Sequence, residues 1–299
     1  MNADRDITLL PDPAPPPAWP QELQTAFGVP RHPLGNRFVY AVISSRAGGL
    51  SLGVNLNPNG HCNFDCPYCE VDRGRLSANA QLDIRAMTDE LERTLLALRL
   101  GILQRPPWFE SLAPSLRELR QVALSGDGEP TLAPDFAGAV EAVVRVRARD
   151  RFFKLALLTN GTELHRLAVA RGLALFTPAD EIWIKLDGGS QTYLETVNRP
   201  EVPLEKILEN ILLIARQRPV VIQSLFPSVR GEKPPEPEIQ AYAARLCELV
   251  AAGAQIAQVQ IYTATRPRVR RDWGPLPSRV LSQIGQTVRQ ATKLRVEVY

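Results

Sequence analysis

Short apolar runs alternate along the chain with amphipathic stretches in which apolar residues recur every three or four positions. The short runs predict buried β-strands, and the amphipathic stretches predict helices that pack one face against them. From residue 50 onward, Gly, Pro or Asn breaks mark the ends of most runs. The expected strands are Leu50–Leu56, Gln121–Ser125, Leu155–Thr159, Glu181–Leu186, Val220–Leu225, Ile256–Tyr262 and Leu294–Val298.

The predicted helices fall between these strands. Strands that alternate with helices of 10–15 residues indicate βαβ units and a parallel sheet. In β/α barrels, the groups of the active site lie on the loops after the carboxyl ends of the strands. Each strand end is therefore a place to look for chemistry. The expected helices are Ile84–Leu100, Phe136–Ala148, Glu163–Arg171, Gln191–Glu195, Leu204–Arg216, Glu238–Ala252 and Arg279–Ala291.

The beginning of the chain differs from the rest. Pro11–Pro20 contains six prolines in ten residues, which excludes a helix and favours an extended conformation. Arg37–Ser44 is a strand-like run that can form a hairpin with the strand at Leu50. We therefore expect two parts: residues 1–36 form a proline-rich arm, and residues 37–299 form one α/β domain that ends in a helix and a strand.

Composition narrows the function classes. The chain has 299 residues, 44% hydrophobic and 22% charged, which excludes disorder as the overall state. No apolar run approaches the ~20 residues of a membrane span. A net charge of +3 is weak for a nucleic-acid-binding protein. Residues 1–6 do not resemble a secretory signal, so we expect a cytoplasmic protein whose cysteines remain reduced.

Three of the four cysteines form the sequence Cys62-x-x-x-Cys66-x-x-Cys69. A structural zinc site uses four Cys or His ligands, and an electron-transfer cluster uses four thiolates at other spacings. A triplet on one loop suits a 4Fe–4S cluster held at three irons with the fourth iron open. A zinc site, coincidental core cysteines and a disulfide with one spare thiol remain alternatives. Cys247, in a helical stretch, is expected to be a buried structural thiol.

The triplet, with Tyr68 before its last cysteine, resembles the radical S-adenosylmethionine (radical SAM) superfamily. The resemblance continues through the segments SLGVNLNPNGHCNFDCPYCEVD, SGDGEPTL, LLTNGT, IKLDGG, VNRP and YTATRP. It is nearest to small single-cluster Fe–S oxidoreductases allied to the wybutosine tRNA-base enzymes. The resemblance implies a partial (β/α)6 TIM-like barrel and two cofactors, one 4Fe–4S cluster and S-adenosylmethionine, with Cys62, Cys66 and Cys69 as the metal ligands.

The resemblance also implies residues that bind S-adenosylmethionine. Gly126–Glu129 is similar to the family's Gly-Gly-Glu segment, which holds the methionyl amino group, although Asp127 stands where the family has its second glycine. Tyr68 is expected beside the adenine, and Asn160 near the ribose or carboxylate. The implied cofactor-binding residues are Tyr68, Gly126, Asp127, Gly128, Glu129, Asn160 and Lys185.

Later strand ends supply candidate catalytic residues. Lys185 and Asp187 lie two positions apart and therefore on the same side of their strand. They form either an ion pair at the barrel mouth or a contact with cofactor or substrate. Arg199 and Arg266 lie in loops where a guanidinium can grip an anion with two hydrogen bonds. The candidate catalytic residues are therefore Lys185, Asp187, Arg199 and Arg266.

Taken together, these features predict a radical enzyme that abstracts hydrogen from an unidentified, possibly anionic, substrate: a small molecule, a protein or an RNA. The resemblance implies flavodoxin or ferredoxin as the electron donor. It also implies that the wybutosine enzymes hold a second cluster, for which Cys247 alone is left here. The alternatives are a glycyl-radical-enzyme activating protein, and a non-catalytic Fe–S or zinc protein that senses metal or binds RNA.

Overall fold

Eight strands of the described residues, 34–104, 107–264 and 272–299 of a computed structural model, pair into one sheet. Its strand order is β1-β2-β3-β4-β5-β6-β8-β10. Two further short strands, β7 and β9, pair with each other. The strands are β1 Val39–Ser44, β2 Gly49–Asn55, β3 Leu119–Ser125, β4 Lys154–Thr159, β5 Glu181–Lys185, β6 Val220–Leu225, β7 Ser228–Val229, β8 Ile256–Tyr262, β9 Trp273–Gly274 and β10 Val296–Val298.

The sheet has the expected parallel core. Strands β2, β3, β4, β5, β6 and β8 pair in parallel in that order, and β10 adds in parallel to β8. β1 pairs antiparallel with β2, so the predicted hairpin is confirmed. The six central parallel strands with their helices form a curled partial TIM-like barrel, which confirms the predicted fold class. β1 and β10 are its two open edges.

The helices pack around the sheet, and side-chain caps begin several of them. Asp83, Asp135 and Ser190 accept hydrogen bonds from the first-turn amides of α1, α4 and α6. The described helices are α1 Ile84–Arg99, α2 Pro107–Glu110, α3 Pro114–Arg117, α4 Phe136–Arg149, α5 Leu167–Leu173, α6 Gln191–Val197, α7 Leu204–Ala215, α8 Glu236–Ala251 and α9 Ser278–Thr292.

The core lies between the strands and the inner faces of the helices. Every residue of β2 and of β6 is buried, as expected of strands that are covered on both faces. On α4, the apolar residues Ala139, Val140 and Val143 are fully buried against the sheet. The periodicity of these helices therefore defines which face is inside.

Predicted and observed boundaries differ most at α5, which begins at Leu167 instead of Glu163. The preceding turn contains Gly161 in a left-handed conformation (φ +81°). The amide and hydroxyl of Thr162 both donate to the Asn160 side chain, so this residue remains in the turn. The short elements α2, α3, β7 and β9 were not predicted, because two to four residues carry too little periodicity.

The proposed N-terminal arm lies outside the described residues except for positions 34–36. At its end, Asn36 Nδ2 donates to Thr94 Oγ1 of α1 at 2.9 Å. Among the helices that the structure describes, none combines the length and apolar character needed to cross a membrane.

Candidate active site

The loops after the parallel strands surround a cavity of about 410 Å³ at the carboxyl end of the barrel. Its walls come from the end of β1 with the β1–β2 turn, the cysteine loop after β2, the glycine segment after β3 and the ends of β4, β5, β6 and β8. It therefore brings together candidate residues that lie more than 120 positions apart in the sequence. The sequence-predicted residues that line it are Cys62, Cys66, Tyr68, Cys69, Gly126, Asp127, Gly128, Glu129, Asn160 and Lys185.

Two thiols of the cysteine loop, those of Cys62 and Cys66, lie where burial disfavours their ionised form. Burial, followed by the charge of Glu129, raises the pKa of Cys62 to about 12. Burial likewise raises the pKa of Cys66, although Lys185 opposes it. Metals bind the thiolate, so thiols in this setting need nearby positive charge to ionise, which a bound metal centre would supply.

The three thiols line one cavity without converging on a single point. No group of three or more His, Cys, Asp or Glu side chains between residues 34 and 299, within the described ranges, is arranged to hold one metal ion. A zinc site requires its ligands to meet at one ion at about 2.0–2.3 Å. A four-iron cluster instead spreads its thiolates over separate irons, and the three cysteines of this loop line one cavity.

A second loop, which follows α6, clamps the cysteine loop. Asp65 N donates to Asn198 O at 3.0 Å, and Glu201 N donates to Asn63 O at 3.1 Å. These two bonds form a short antiparallel bridge between the loops. Arg199, in a left-handed conformation (φ +47°), pairs with Asp65 at 3.1 Å. The guanidinium of Arg199 therefore binds the cysteine loop and does not line the cavity.

Asp187 is the centre of a polar network behind the cavity. It is fully buried, and its carboxylate accepts hydrogen bonds from Leu225 N (2.8 Å) and from the Tyr68 hydroxyl. Lys185 Nζ lies 2.9 Å from the same carboxylate. Burial alone would lower the pKa of Lys185, but Asp187 outweighs it and raises the pKa overall. Lys185 is therefore protonated, and the Asp187 carboxylate compensates its charge. This is the ion-pair interpretation, one of the two that the sequence allowed.

Asn198 joins this network to the cysteine loop. Its Nδ2 lies 2.8 Å from Asp187 Oδ2 and 2.7 Å from the Tyr68 hydroxyl. The same nitrogen donates to Cys66 Sγ at 3.3 Å. Asn198 is fully buried, and its Oδ1 has no hydrogen-bond partner within the described part of the chain. One side chain thus fixes a predicted metal ligand and the predicted adenine-flanking tyrosine.

The Glu129 carboxylate is held by neutral donors. It accepts hydrogen bonds from Thr131 N (3.1 Å), Thr131 Oγ1 (2.6 Å), Thr159 Oγ1 (2.6 Å) and Asn160 N (2.7 Å). Burial raises its pKa although these bonds oppose the shift. No cation pairs with this carboxylate among the described residues, so an ammonium group of a ligand would supply the missing positive charge.

Gly128 allows the glycine segment to touch the cysteine loop. A Cβ atom at this position would lie 2.0 Å from the carbonyl oxygen of His61. The next residue, Glu129, donates its backbone N–H to that same oxygen at 2.9 Å. A glycine is therefore required by close approach, and the glycine segment and the cysteine loop are held in register.

Asn160 and Asp127 line the cavity with side chains that are already engaged. Asn160 Nδ2 donates to Asn63 Oδ1 at 2.8 Å, while its Oδ1 accepts from Thr162. Asp127 Oδ2 accepts from Asn55 Nδ2 at 2.6 Å. In this arrangement Asn160 braces the cysteine loop, and its predicted contact with the cofactor stays a prediction.

Two other residues singled out from the sequence, Arg266 and Cys247, are not among the described residues that line the cavity. Arg266 lies outside the described residues. Cys247 lies on α8 with its Sγ 3.6 Å from Ala291 O of α9, and it is half-buried. The prediction of full burial was wrong, because the thiol faces a shallow seam between two surface helices.

Several residues of the site were missed from the sequence. Asn198 lies inside the VNRP segment, for which the sequence predicted a role for Arg199 only. Asn63 lies inside the cysteine loop, directly after Cys62, and this position alone could have marked it as part of the site. Asn55 and Tyr262 lie inside segments that carry the resemblance, but no role was predicted for them. Arg46 and Arg73 lie outside those segments and carry no distinguishing pattern.

Comparison with known proteins gives an independent indication of the family. The family model of the Radical SAM superfamily matches residues 56–238. A UPF0026 protein of Synechocystis is 34% identical over 178 residues, which cover 58% of this chain and 57% of that protein. A UPF0026 protein of Methanocaldococcus jannaschii is 27% identical and is covered over 48% of its length. The chain thus spans about half the length of these relatives.

Solved structures share the fold at low sequence identity. SuiB of Streptococcus suis, bound to S-adenosylmethionine, superposes with a TM-score of 0.55 at 14% identity, over 85% of this chain and 52% of that chain. TYW1 with a lysine–pyruvate adduct superposes with a TM-score of 0.52 at 16% identity, over 82% and 74% of the two chains. The family uses a 4Fe–4S cluster and S-adenosylmethionine, and the Cys62-x-x-x-Cys66-x-x-Cys69 spacing is present. With more than half of its length matched, this chain belongs to the radical SAM superfamily.

Proposed function

We propose that the protein is a radical SAM oxidoreductase that holds one 4Fe–4S cluster through Cys62, Cys66 and Cys69. When bound, the cluster supplies the electron that cleaves S-adenosylmethionine to methionine and a 5′-deoxyadenosyl radical, which abstracts hydrogen from the substrate. The observation that carries the proposal is the shared cavity. All three thiols face the same 410 Å³ space as the glycine segment after β3.

The residues of the cavity have distinct roles in this proposal. Glu129 and the backbone of Gly126–Glu129 bind the methionyl ammonium group, because the buried carboxylate has no cationic partner among the described residues. The Tyr68 ring flanks the adenine, while its hydroxyl is bound to Asp187. Lys185, its charge neutralised by Asp187, donates hydrogen bonds to cofactor or substrate. These groups exclude water and orient the ligand.

The proposal includes a compartment and a reductant. Three reduced thiols on one loop and a low-potential electron requirement favour the cytoplasm, with flavodoxin or ferredoxin as the donor. The substrate remains open between a small molecule, a protein and an RNA.

Anaerobic reconstitution tests the proposal. We expect about four irons and four sulfides per chain, and release of 5′-deoxyadenosine when dithionite and S-adenosylmethionine are added. Cys66→Ala removes a cluster ligand, so it should abolish both iron binding and release. Cys247→Ala, on the seam between α8 and α9, is the matched control and should retain both.

Other outcomes distinguish the alternatives. One zinc per chain after purification, with no cleavage of S-adenosylmethionine, would overturn the proposal in favour of a non-catalytic metal protein. A protein-based radical on mixing with a partner would favour a glycyl-radical activator. RNA binding that weakens steeply with salt, without cleavage, would favour an RNA-binding protein.

A further inference from the structure

Cationic side chains in the cavity differ in how their charge is compensated. Three described lining residues carry a positive charge: Arg46, Arg73 and Lys185. Lys185 is neutralised by Asp187 at 2.9 Å. Arg73 donates to Phe64 O at 2.8 Å and lies close enough to Cys62 to stabilise its thiolate. The side chains of Lys185 and Arg73 therefore already have interaction partners in or near the cysteine loop.

Arg46 is the exception. It lies in the turn between β1 and β2, and no carboxylate or hydrogen-bond acceptor pairs with it among the described residues. Its guanidinium carbon instead lies 4.0 Å from the centroid of the Tyr262 ring. A guanidinium that stacks through its face keeps the N–H groups of its edge free to donate. The side chain is half-buried, so its charge is only partly hydrated.

Tyr262 places this cation at the mouth of the cavity. It is the last residue of β8, across the open edge of the barrel from the β1–β2 turn, and it also lines the cavity. No hydrogen bond of its hydroxyl is present among the described residues, whereas the hydroxyls of Tyr68 and Tyr242 are both bound. A charged donor and a neutral donor therefore stand side by side, unpartnered, in the same space as the three cysteines.

We propose that Arg46 and Tyr262 form an oxyanion subsite that binds a carboxylate or phosphate group of the substrate. This inference rests on the proposed function, because it assumes that the cavity of the cysteine loop is also the substrate cavity. It moves the anion-binding role from Arg199, which pairs with Asp65 outside the cavity, to a residue of the β1–β2 turn. Arginine suits this role because its planar fork matches both oxyanions bidentately.

Matched pairs of small probes test the subsite directly. Benzoate against benzamide, and phenyl phosphate against phenol, are titrated into the reconstituted holoenzyme with S-adenosylmethionine and followed by ligand-observed NMR. We expect the anionic member of at least one pair to bind at least tenfold more tightly than its neutral partner. The pair with the larger ratio identifies the anion as carboxylate or phosphate.

Variants assign the binding to the two residues. Arg46→Gln should lose at least tenfold in affinity for the anion, and Arg46→Lys should recover part of it. Tyr262→Phe keeps the stacked ring and should cause a smaller loss. Arg149→Gln, an exposed arginine on α4, is the matched control and should bind like the wild type. Cluster content and thermal unfolding are measured for each variant.

Failures of this inference and of the proposed function are separable. If no anionic probe is preferred, or if Arg46→Gln binds anions as the wild type does, the subsite is overturned even when S-adenosylmethionine is cleaved. If Arg46→Gln fails to load its cluster, Arg46→Lys is compared with the wild type instead: a reduced affinity for the anionic probe supports a bidentate contact by Arg46, and an affinity equal to that of the wild type overturns it. Absence of 5′-deoxyadenosine release overturns the proposed function alone, whatever the probes do.

Discussion

At the scale of single residues, Asp187 organises the site without lining the cavity. Its carboxylate gathers an ammonium group, a phenol, a side-chain amide and a backbone N–H. A buried charge is stabilised only when it is paired and hydrogen-bonded in this way. The sequence predicted Lys185 and Asp187 as neighbours, because residues two apart on a strand share a side. It could not predict Asn198 as their partner, because that contact depends on where the loop after α6 folds back.

The hydrogen bond from Asn198 to Cys66 leads to a redox prediction. An N–H donor on a cluster ligand stabilises the reduced, more negative cluster and raises its reduction potential. Asn198→Ala removes that donor from Cys66 Sγ. We therefore expect a more negative midpoint potential in an EPR-monitored redox titration, together with a stability loss of about 1–3 kcal/mol from the unpaired buried groups.

Glu195→Gln on α6 is the control for this titration, because its carboxylate is exposed and bonds Gln191. Its midpoint potential should match the wild type. An unchanged potential in Asn198→Ala, at full cluster content, would show that the hydrogen bond has no electronic effect.

At the scale of elements, close backbone contacts decide the assembly of the site. The strands, most helix boundaries and the hairpin were predictable from the sequence, because apolar periodicity and capping residues are local signals. The clamp between the cysteine loop and residues 198–201 was not predictable. It depends on two backbone hydrogen bonds between segments that are more than 130 residues apart, and backbone groups carry no sequence signal.

Gly128 tests the contact between the glycine segment and the cysteine loop. Gly128→Ala places a methyl group against the His61 carbonyl, where the added Cβ would lie at 2.0 Å. The two loops must then separate, so we expect several-fold less iron per chain after reconstitution. Gly274→Ala, whose added Cβ meets Ser228 at an ordinary 3.5 Å, should load normally. Equal iron in both variants would contradict the requirement for close approach.

A second element-scale prediction concerns Asp180, which fastens the end of α4 to β4 and β5. Burial opposes its ionisation, but the hydrogen bonds from Arg147, Leu155 and Thr177 outweigh burial and lower its pKa. A carboxylate whose pKa is lowered by folding stabilises the protein above its unfolded pKa, about 3.9. That stabilisation is lost as the pH falls through the lower folded pKa.

Asp180→Asn should therefore cost about 3 kcal/mol in urea unfolding at pH 7, because Arg147 is left buried without its partner. The difference from the wild type should shrink as the pH falls below 4. Glu141→Gln, which breaks the exposed pair with Arg145, should cost less than about 1 kcal/mol at either pH. A loss of stability in Asp180→Asn that does not change with pH would contradict the link between the lowered pKa of Asp180 and stability.

At the scale of the whole molecule, the barrel is open, and its functional groups lie on loops held by distant contacts. The parallel fold could be predicted because each βα unit repeats the same pattern. The charge of the cavity could not be predicted, since Arg46, a cation without an ion pair among the described residues, comes from the β1–β2 hairpin turn. No family-like segment pointed to that turn, and only the curvature of the sheet brings it beside β8.

Removal of iron should affect this architecture locally. Chelation of the cluster removes positive charge from thiols whose pKa values are raised by burial. We expect faster hydrogen exchange at the amides of the cysteine loop, including Asp65 and Cys69, and a lower thermal midpoint. Amides of the buried strand β6 should keep their protection. Uniform loss of protection would instead mean that the cluster supports the entire fold.

The position of Asp187 in the chain also sets when the site can form during synthesis. Tyr68 and Cys66 obtain their buried partners only after Asp187 and Asn198 have been made, roughly 120–130 residues later. At about 5–20 residues per second, a ribosome needs on the order of 10–30 s to cover that distance. During that interval the three thiols are translated but not yet enclosed. A nascent chain stalled before β5 therefore lacks the buried partners of Tyr68 and Cys66, and we expect Cys66 in it to be alkylated faster than in the full chain.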